Sequence, residues 1–145
     1  MKYRSTIFLA SLALATAAIA HQGVKNPAVK ARMDAMGVIG ANTKVLGKMV
    51  KGAARFDAAK ARAAAAAIAE HAATAPALFE APEDDPKSEA MPAIWDNFAD
   101  FTNKATALQT AAENAADRIA TPQDLRTALG EIGATCKSCH AIYRE

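Results

Sequence analysis

The sequence predicts an all-α protein, and three observations favour an antiparallel four-helix bundle. Helix-forming residues dominate, while β-branched and aromatic residues rarely cluster or alternate as they do in strands. Apolar residues recur at helical spacing in four segments, which are joined by short links and one longer loop. Residues 21–145, which follow an export signal, are enough for a single domain with one core. Four amphipathic helices of this kind bury their apolar faces against one another in a bundle.

Residues 1–20 have the pattern of a Sec-type export signal. Lys2 and Arg4 supply a positive start, and residues 7–20 form an apolar run that ends in the cleavage pattern Ala-Ile-Ala. This run is shorter than the roughly 20 apolar residues that a membrane-spanning helix needs. An uncleaved membrane anchor is therefore the less favoured alternative. We expect cleavage before His21, a periplasmic location and no membrane attachment of the mature chain.

The charge balance excludes some classes of function. Without residues 1–20 the chain carries 15 basic and 15 acidic residues, and is therefore neutral. A nucleic-acid-binding domain needs a basic patch, so we expect no nucleic-acid partner. The sequence also shows no catalytic triad, acid–base pair or substrate motif, and we expect no enzymatic activity.

The first two helices are predicted from a cap and from their apolar stripes. Asn26 followed by proline begins the first helix, which ends near Lys51. The second helix is predicted from about Ala53 to Ala73, and Pro76 closes it. The inward face of the first helix is expected to carry Val29, Arg32 or Met33, Met36, Ile39 or Gly40, Thr43, Leu46 and Val50. That of the second is expected to carry Phe56, Ala59, Ala63, Ala66 and Ala67.

The last two helices follow a predicted loop over residues 74–91, which contains prolines and charge. The third helix is predicted from near Met91 to about Ile119, with Ile94, Trp95, Phe98, Phe101, Ala105, Leu108 and Ala112 facing inward. The fourth begins at Thr121, where a cap residue is followed by proline and then, at the third position, by an acid. Its inward stripe is Leu125, Leu129, Ile132, Cys136, His140 and Tyr143.

The fourth helix ends with the pentad Cys136-Lys137-Ser138-Cys139-His140, and the chain contains no other cysteine. Two cysteines three residues apart, with histidine directly after the second, form the attachment pattern of c-type haem. Each thiol can form a thioether bond with one haem vinyl group, and the histidine can bind the iron. Positions three and four residues apart share a face of a helix, so all three side chains can address one macrocycle. We therefore expect one covalently bound haem c per chain in the core of the bundle.

Two other roles of the pentad are less favoured. A structural zinc ion would need a fourth ligand, and only His21 and His71 remain among the histidines. A redox-active dithiol would need a βαβ setting, and no strand pattern precedes Cys136. Export agrees with haem, because thioether attachment in bacteria is completed outside the cytoplasm.

A haem pentad in the last of four helices resembles the class II cytochromes c, the cytochrome c′ family. The other matching segments are Arg32-x-x-x-Met36, residues 51–59, Pro92-x-Ile94-Trp95-x-x-Phe98, and residues 136–144 read as CxxCHxxYR. The resemblance covers residues 24–145, and it is strongest to the low-spin cytochrome c-556 branch.

The resemblance implies that Met36 faces the sixth coordination position of the iron, opposite His140. Members that ligate through methionine are low-spin electron carriers, whereas members with a non-ligating residue are high-spin and bind nitric oxide or carbon monoxide. We expect Met36 to be the distal ligand, since thioethers are common axial ligands in c-type cytochromes. Core packing by Met36 and ligation by Met33 are the alternatives.

The resemblance also implies roles for the two arginines near the ligands. Arg32 is expected to pair with a haem propionate, and Arg144 to lie beside the proximal His140, with an exposed surface position as the alternative for each. Further residues are expected to line the haem or to fill an ordinary core, namely Trp95, Phe98 and Tyr143.

The function predicted from these residues is transfer of single electrons to and from redox partner proteins in the periplasm. The chain would act as a monomer or as a homodimer through its first two helices. The alternative function is that of a five-coordinate cytochrome that binds nitric oxide or carbon monoxide.

Overall fold

The computed structural model describes residues 23–145, and the predicted export signal and its cleavage before His21 lie outside these residues. Five helices form: α1 (Pro27–Val50), α2 (Ala58–Leu78), α3 (Ala93–Asp96), α4 (Phe98–Arg118) and α5 (Pro122–Tyr143). Across residues 23–145 no strand forms, and the extended pairing consists of one isolated bridge between Ala90 and Arg144. The predicted all-α class is confirmed.

The four long helices form a closed ring in which each packs against two others. The pairs are α1 with α2, α2 with α4, α4 with α5, and α5 with α1. Side-chain hydrogen bonds show that neighbours run antiparallel. Arg62 near the start of α2 donates to the carbonyl of Ile119 just after α4, and Lys104 near the start of α4 donates to Ser138 near the end of α5. The predicted antiparallel four-helix bundle is confirmed.

The starts of α1, α2 and α5 are fixed by side-chain caps. The side-chain oxygen of Asn26 accepts hydrogen bonds from the amides of Ala28 and Val29. At α5 the Thr121 hydroxyl accepts from the Asp124 amide, and the Asp124 carboxylate accepts from the Thr121 amide. Both helices therefore begin where the sequence predicted, because these caps are local.

Helix α2 differs from the prediction at both ends. It starts at Ala58 and not at Ala53, because Gly52 takes a left-handed conformation (φ +71°) and Asp57 caps the first turn by accepting from the Lys60 amide. It also continues through Pro76 to Leu78. The proline lies in the last turn, so the bond that its missing amide would make to the Ala72 carbonyl is lost only at the end of the helix, and the Phe79 amide donates to the Pro76 carbonyl.

The prediction of one continuous third helix is wrong, because two separate helices form in this segment. Asn97 leaves the helical conformation (φ −138°, ψ 53°), so residues 93–96 form a separate turn, α3, before α4 begins. The offset between the two segments lets Ile94 and Phe101 be buried together with Phe79 and Tyr143 in a small aromatic core.

The inward face of α2 is also different from the prediction. Ala59, Ala63 and Ala66 are exposed, and Phe56 and Ala67 are partly buried. The buried positions of α2 are Ala61, Ala64, Ala65, Ile68, Ala69, Ala72 and Ala75. A run of alanines offers no contrast between its faces, so the apolar pattern could not orient this helix. In residues 23–145, no helix is long and apolar enough to cross a membrane.

Candidate haem-binding site

A largely apolar cavity of about 560 Å³ lies between the amino-terminal half of α1 and the carboxyl-terminal half of α5. Side chains of α2 and α4 and of the segment 88–90 complete its wall. The volume is within the roughly 300–1,000 Å³ that is usual for ligand and cofactor sites. The cavity wall includes residues of the main core of the bundle and of the aromatic core around Phe101 and Tyr143.

The α5 wall of the cavity carries the residues of the haem pentad. Cys136, Cys139, His140 and Tyr143 all line it, as expected for side chains three, four and seven residues apart on a helix. The two cysteines are partly buried and are not joined in a disulfide. Burial raises the pKa of both thiols, so they are protonated at neutral pH.

The imidazole of His140 is in the form that binds metals. Desolvation against the wall and the positive charge of Arg144 lower the pKa of His140, while Glu89 acts in the opposite direction. Because the ordinary pKa is already below 7, the ring is neutral at pH 7 and a nitrogen lone pair is available.

The residues present fit a covalently bound haem better than a protein-held zinc ion. In the described part of the chain, no group of three or more His, Cys, Asp or Glu side chains could hold a metal ion. An apolar cavity with two thiols and one neutral imidazole on the same wall matches instead a flat apolar macrocycle that carries its own metal.

The α1 wall contributes Met33 and Met36, three residues apart on one helix face. The side chain of Met36 is 37% exposed, whereas Ile39 and Leu46 on the same helix are 6% and 0% exposed. Met36 therefore lines the cavity without being covered by the core, whereas Ile39 and Leu46 are part of the buried main core, and Ile39 also lines the cavity. Gly37 and Gly40 also line this wall, and a Cβ atom on Gly40 would meet nothing within 4 Å.

Arg32 lines the cavity but makes its hydrogen bonds to the main chain of the loop that follows α2. Its Nε donates to the Leu78 carbonyl at 2.8 Å, its Nη1 to the Glu83 carbonyl at 2.6 Å, and its Nη2 to the Ala81 carbonyl. Only 3% of the residue is exposed. An exposed surface position is therefore wrong for Arg32, and its pairing with a propionate stays a prediction.

The rings of Phe79 and Trp95 both lie against the guanidinium group of Arg32. The guanidinium carbon is 4.9 Å from the Phe79 ring centre and 5.4 Å from that of Trp95. The Trp95 indole in turn donates to the Phe79 carbonyl at 2.8 Å. Such cation–π contacts stabilise a buried guanidinium, together with the negative charges of Glu83 and Asp84 nearby.

Arg144 lies on the cavity wall, and Glu89 holds it there. Its Nε donates to the Glu89 carboxylate at 2.6 Å, and its second nitrogen also contacts this carboxylate. The main chain reinforces the contact, because the Met91 amide donates to the Tyr143 carbonyl and the Glu145 amide to the Glu89 carbonyl. The end of the chain is thereby joined to the segment 88–90.

Two of the predicted haem-lining residues do not reach the cavity. Trp95 and Phe98 pack instead against the aromatic core that contains Ile94 and Phe101. The wall residues that we did not predict include Phe79, Glu89 and Lys104. Lys104 could have been found, since it lies in the same apolar stripe as Phe101, Ala105 and Leu108.

Tyr143 is the predicted wall residue with the most definite polar contact. Its hydroxyl donates to a carboxylate oxygen of Asp100 on α4 at 2.7 Å, and only 3% of the residue is exposed. Desolvation and the Asp100 carboxylate raise the pKa of Tyr143 to about 12. The phenol is therefore neutral over the physiological pH range.

Comparisons with known proteins agree with this architecture. The family model described as "Cytochrome C′" matches residues 27–144. Cytochrome c-556 of Agrobacterium tumefaciens is 38% identical over 115 residues, which are 79% of this chain and 91% of the relative.

Solved structures give the same result. Cytochrome c′ from Rhodopseudomonas palustris is 32% identical with a TM-score of 0.78, covering 83% of this chain and 98% of that one. The nitric oxide complex of a mutant cytochrome c prime from Alcaligenes xylosoxidans is 33% identical with a TM-score of 0.70, covering 81% and 94%. The family match spans nearly all of the described bundle and includes the cavity. The chain therefore belongs to the cytochrome c′ family of c-type cytochromes.

Proposed function

We propose that this protein carries single electrons in the periplasm through one low-spin haem c bound covalently in the cavity. Cys136 and Cys139 would form the two thioether bonds, His140 would be the proximal ligand, and Met36 the distal ligand. The haem supplies one-electron oxidation and reduction at its iron. The protein would thus exchange electrons with redox partner proteins and transform no substrate.

The observation that carries the proposal is the direction of the Met36 side chain. If Met36 only filled space in the bundle, it should be as buried as Leu46, but Met36 lines the cavity and 37% of it is exposed. His140 lines the same cavity from α5, which packs against α1. A thioether and an imidazole supplied from two packed helices are the donor set that gives c-type haem a raised potential.

The remaining wall residues support this function by excluding water and by compensating charge. The apolar lining lowers the local dielectric constant and protects the metal site from solvent. Three of the five N–H groups of Arg32 donate to loop carbonyls, and its position on the wall supports donation of the other two to a propionate. Arg144, held by Glu89, adds a second positive charge beside His140.

The proposed location and partner follow from the sequence pattern and the family. The export signal in residues 1–20 supports a periplasmic protein that is free of the membrane after cleavage. Two fixed axial ligands in both oxidation states leave no open coordination position, which suits transfer of an electron to another protein better than turnover of a small molecule.

Visible spectra of the ferric and ferrous protein, with and without carbon monoxide, test the proposal. With Met36 bound, both oxidation states are low-spin, and carbon monoxide binds the reduced protein slowly or not at all. Met36→Leu should make the ferrous spectrum high-spin, lower the reduction potential and allow rapid carbon monoxide binding. Met33→Leu is the matched control and should change none of these, although it removes a methionine from the same wall.

The second candidate function is binding of nitric oxide or carbon monoxide at a five-coordinate haem. It is favoured by the space beside Gly40 on the α1 wall and by the similarity to a cytochrome c prime whose nitric oxide complex is known. A wild-type protein that is already high-spin and binds carbon monoxide rapidly would establish this function and overturn electron transfer through Met36.

A further inference from the structure

Lys104 is the one positive side chain that α4 places on the cavity wall. Its Nζ donates to the Ser138 hydroxyl at 3.1 Å and lies 3.8 Å from a carboxylate oxygen of Asp100, one turn earlier on α4. The Lys104 side chain is 20% exposed, whereas that of Lys30 in another i,i+4 pair is 53% exposed. Lys104 is therefore held against α5 more closely than a typical surface lysine.

Asp100 is held in turn by Tyr143. The Tyr143 hydroxyl donates to the same carboxylate oxygen that faces Lys104, at 2.7 Å. The phenol ring packs edge-on against Phe101, with ring centres 5.6 Å apart and planes at 88°. The Asp100 side chain is 40% exposed, and the hydrogen bond from the buried Tyr143 phenol holds its carboxylate in a defined position.

Lys104 and Asp100 are both held by residues of α5, one within the haem pentad and one after it. Ser138 directly precedes Cys139, and Tyr143 lies one helical turn after His140. Lys104 therefore presents a positive charge on the cavity wall, and Asp100, which does not itself line the cavity, presents a negative charge 3.8 Å from it. The other charged wall residues are already engaged, Arg32 with loop carbonyls and Arg144 with Glu89.

We propose that Lys104 and Asp100 are an opposed pair of charges that sets the reduction potential of the haem, and that Tyr143 is the positioning residue for Asp100. The inference rests on the proposed function only in that the cavity holds a haem. The ferric centre carries one positive charge more than the ferrous centre. A nearby cation therefore favours the ferrous state and raises the potential, and a nearby anion lowers it.

Spectroelectrochemical titration of the haem-loaded protein tests this pair, because the two charges predict shifts of opposite sign. Lys104→Met should lower the potential and Asp100→Asn should raise it. Each should change the ferric-to-ferrous ratio at the wild-type midpoint by about three- to tenfold, where tenfold corresponds to 59 mV for one electron. The double variant should lie between the two single variants.

The role of Tyr143 has its own readout. In a Tyr143→Phe background, Asp100→Asn should change the reduction potential less than it does in the wild type, because the Asp100 carboxylate is no longer held by the phenol. Equal shifts in the two backgrounds would mean that Tyr143 does not position Asp100.

Lys30 and Asp34 provide the matched control. They form an i,i+4 ion pair on α1, and their side chains are 53% and 49% exposed, compared with 20% and 40% for Lys104 and Asp100. Lys30, unlike Lys104, does not line the cavity. Lys30→Met and Asp34→Asn make the same charge changes and should leave the potential in place, because solvent screens them. The proposal is overturned if the Lys104 and Asp100 variants shift the reduction potential in the same direction, or by no more than the control variants do. The two residues would then form an ion pair that only stabilises the fold. The wild-type spectrum reports Met36 ligation separately, so failure of that proposal is distinguishable from failure of this one.

Discussion

The guanidinium of Arg32 donates a 2.6 Å hydrogen bond to the main-chain carbonyl of Glu83, 51 residues further along the chain. With its bonds to the Leu78 and Ala81 carbonyls, this contact joins the start of α1 to the loop after α2. The same loop is fixed from the other side by Asp85, which accepts hydrogen bonds from the amides of Lys25 and Asn26. One wall of the cavity is therefore anchored to α1, one turn before Met36.

Arg32→Gln should lower the free energy of unfolding by about 2–4 kcal/mol, because it leaves buried loop carbonyls without donors. Urea denaturation of the haem-loaded protein measures this. Arg62→Gln is the matched control: Arg62 is an exposed residue that makes one bond to a main-chain carbonyl, that of Ile119, and the loss should be below about 1 kcal/mol. Equal losses in the two variants would mean that the loop does not depend on Arg32. A lower reduction potential in Arg32→Gln would support its pairing with a propionate.

Local signals in the sequence predicted most of the fold. The caps at Asn26 and Thr121 use side chains and amides within four residues, so both helix starts were predictable. The pentad and Met36 reach one cavity because each lies on an amphipathic helix whose face the apolar pattern defines.

The features that the sequence did not predict either lie in a helix whose faces are equally apolar, or depend on contacts between residues that are far apart in the chain. The alanines of α2 are equally small and apolar on every side, and their burial follows from where α1 and α4 pack. The partners of Arg32 are main-chain carbonyls 46 to 51 residues away, which no side-chain motif records. The break at Asn97 likewise follows from the packing of Ile94 and Phe101 in one core.

Asp85 should make the protein sensitive to acid. Hydrogen bonds from the amides of Asn26, Lys87 and Lys25 lower the pKa of Asp85 below its ordinary value. A carboxyl group whose pKa is lower in the folded state stabilises it above the unfolded pKa, about 3.9, and this contribution is lost as the pH falls through the folded pKa. Asp85→Asn should therefore be less stable at pH 7 and lose less stability below about pH 4. Acid titrations of both proteins followed by circular dichroism measure this, with the exposed neighbour Asp84→Asn as the control. Identical curves for Asp85→Asn and the wild type would contradict the role of Asp85.

Tyr143 should make the protein sensitive to alkali. Its folded-state pKa is about 12, compared with an ordinary value of about 10. Between these pH values the folded state keeps a proton that the unfolded state has lost, so the free energy of unfolding falls as the pH rises through this window. Tyr143 is the sole tyrosine of residues 21–145, so ultraviolet difference spectra report its titration directly. A midpoint near 10 would contradict the buried bond to Asp100, and Tyr143→Phe should lose less stability across the same window.

Mass spectrometry of the denatured protein from the periplasm should show the chain from His21 plus one haem. Thioether bonds to Cys136 and Cys139 survive unfolding, whereas ligation by His140 does not, so a covalently bound haem stays attached to the denatured chain. Haem that extracts into acidic organic solvent would contradict covalent attachment. A mass that includes residues 1–20 would contradict cleavage and leave the attachment intact.

The cavity makes the bundle depend on its cofactor. A cavity of about 560 Å³ is lined by residues of both the main core and the aromatic core, and the buried face of α2 is built largely from alanines, which bury little area each. Cys136→Ala combined with Cys139→Ala removes both covalent links, so we expect a loosely packed chain without a cooperative thermal transition. Near-ultraviolet circular dichroism of Trp95 and calorimetry measure this. The single variant Cys136→Ala keeps one thioether and should retain a transition at lower temperature. A sharp, native-like transition in the double variant would show that side-chain packing alone stabilises the bundle.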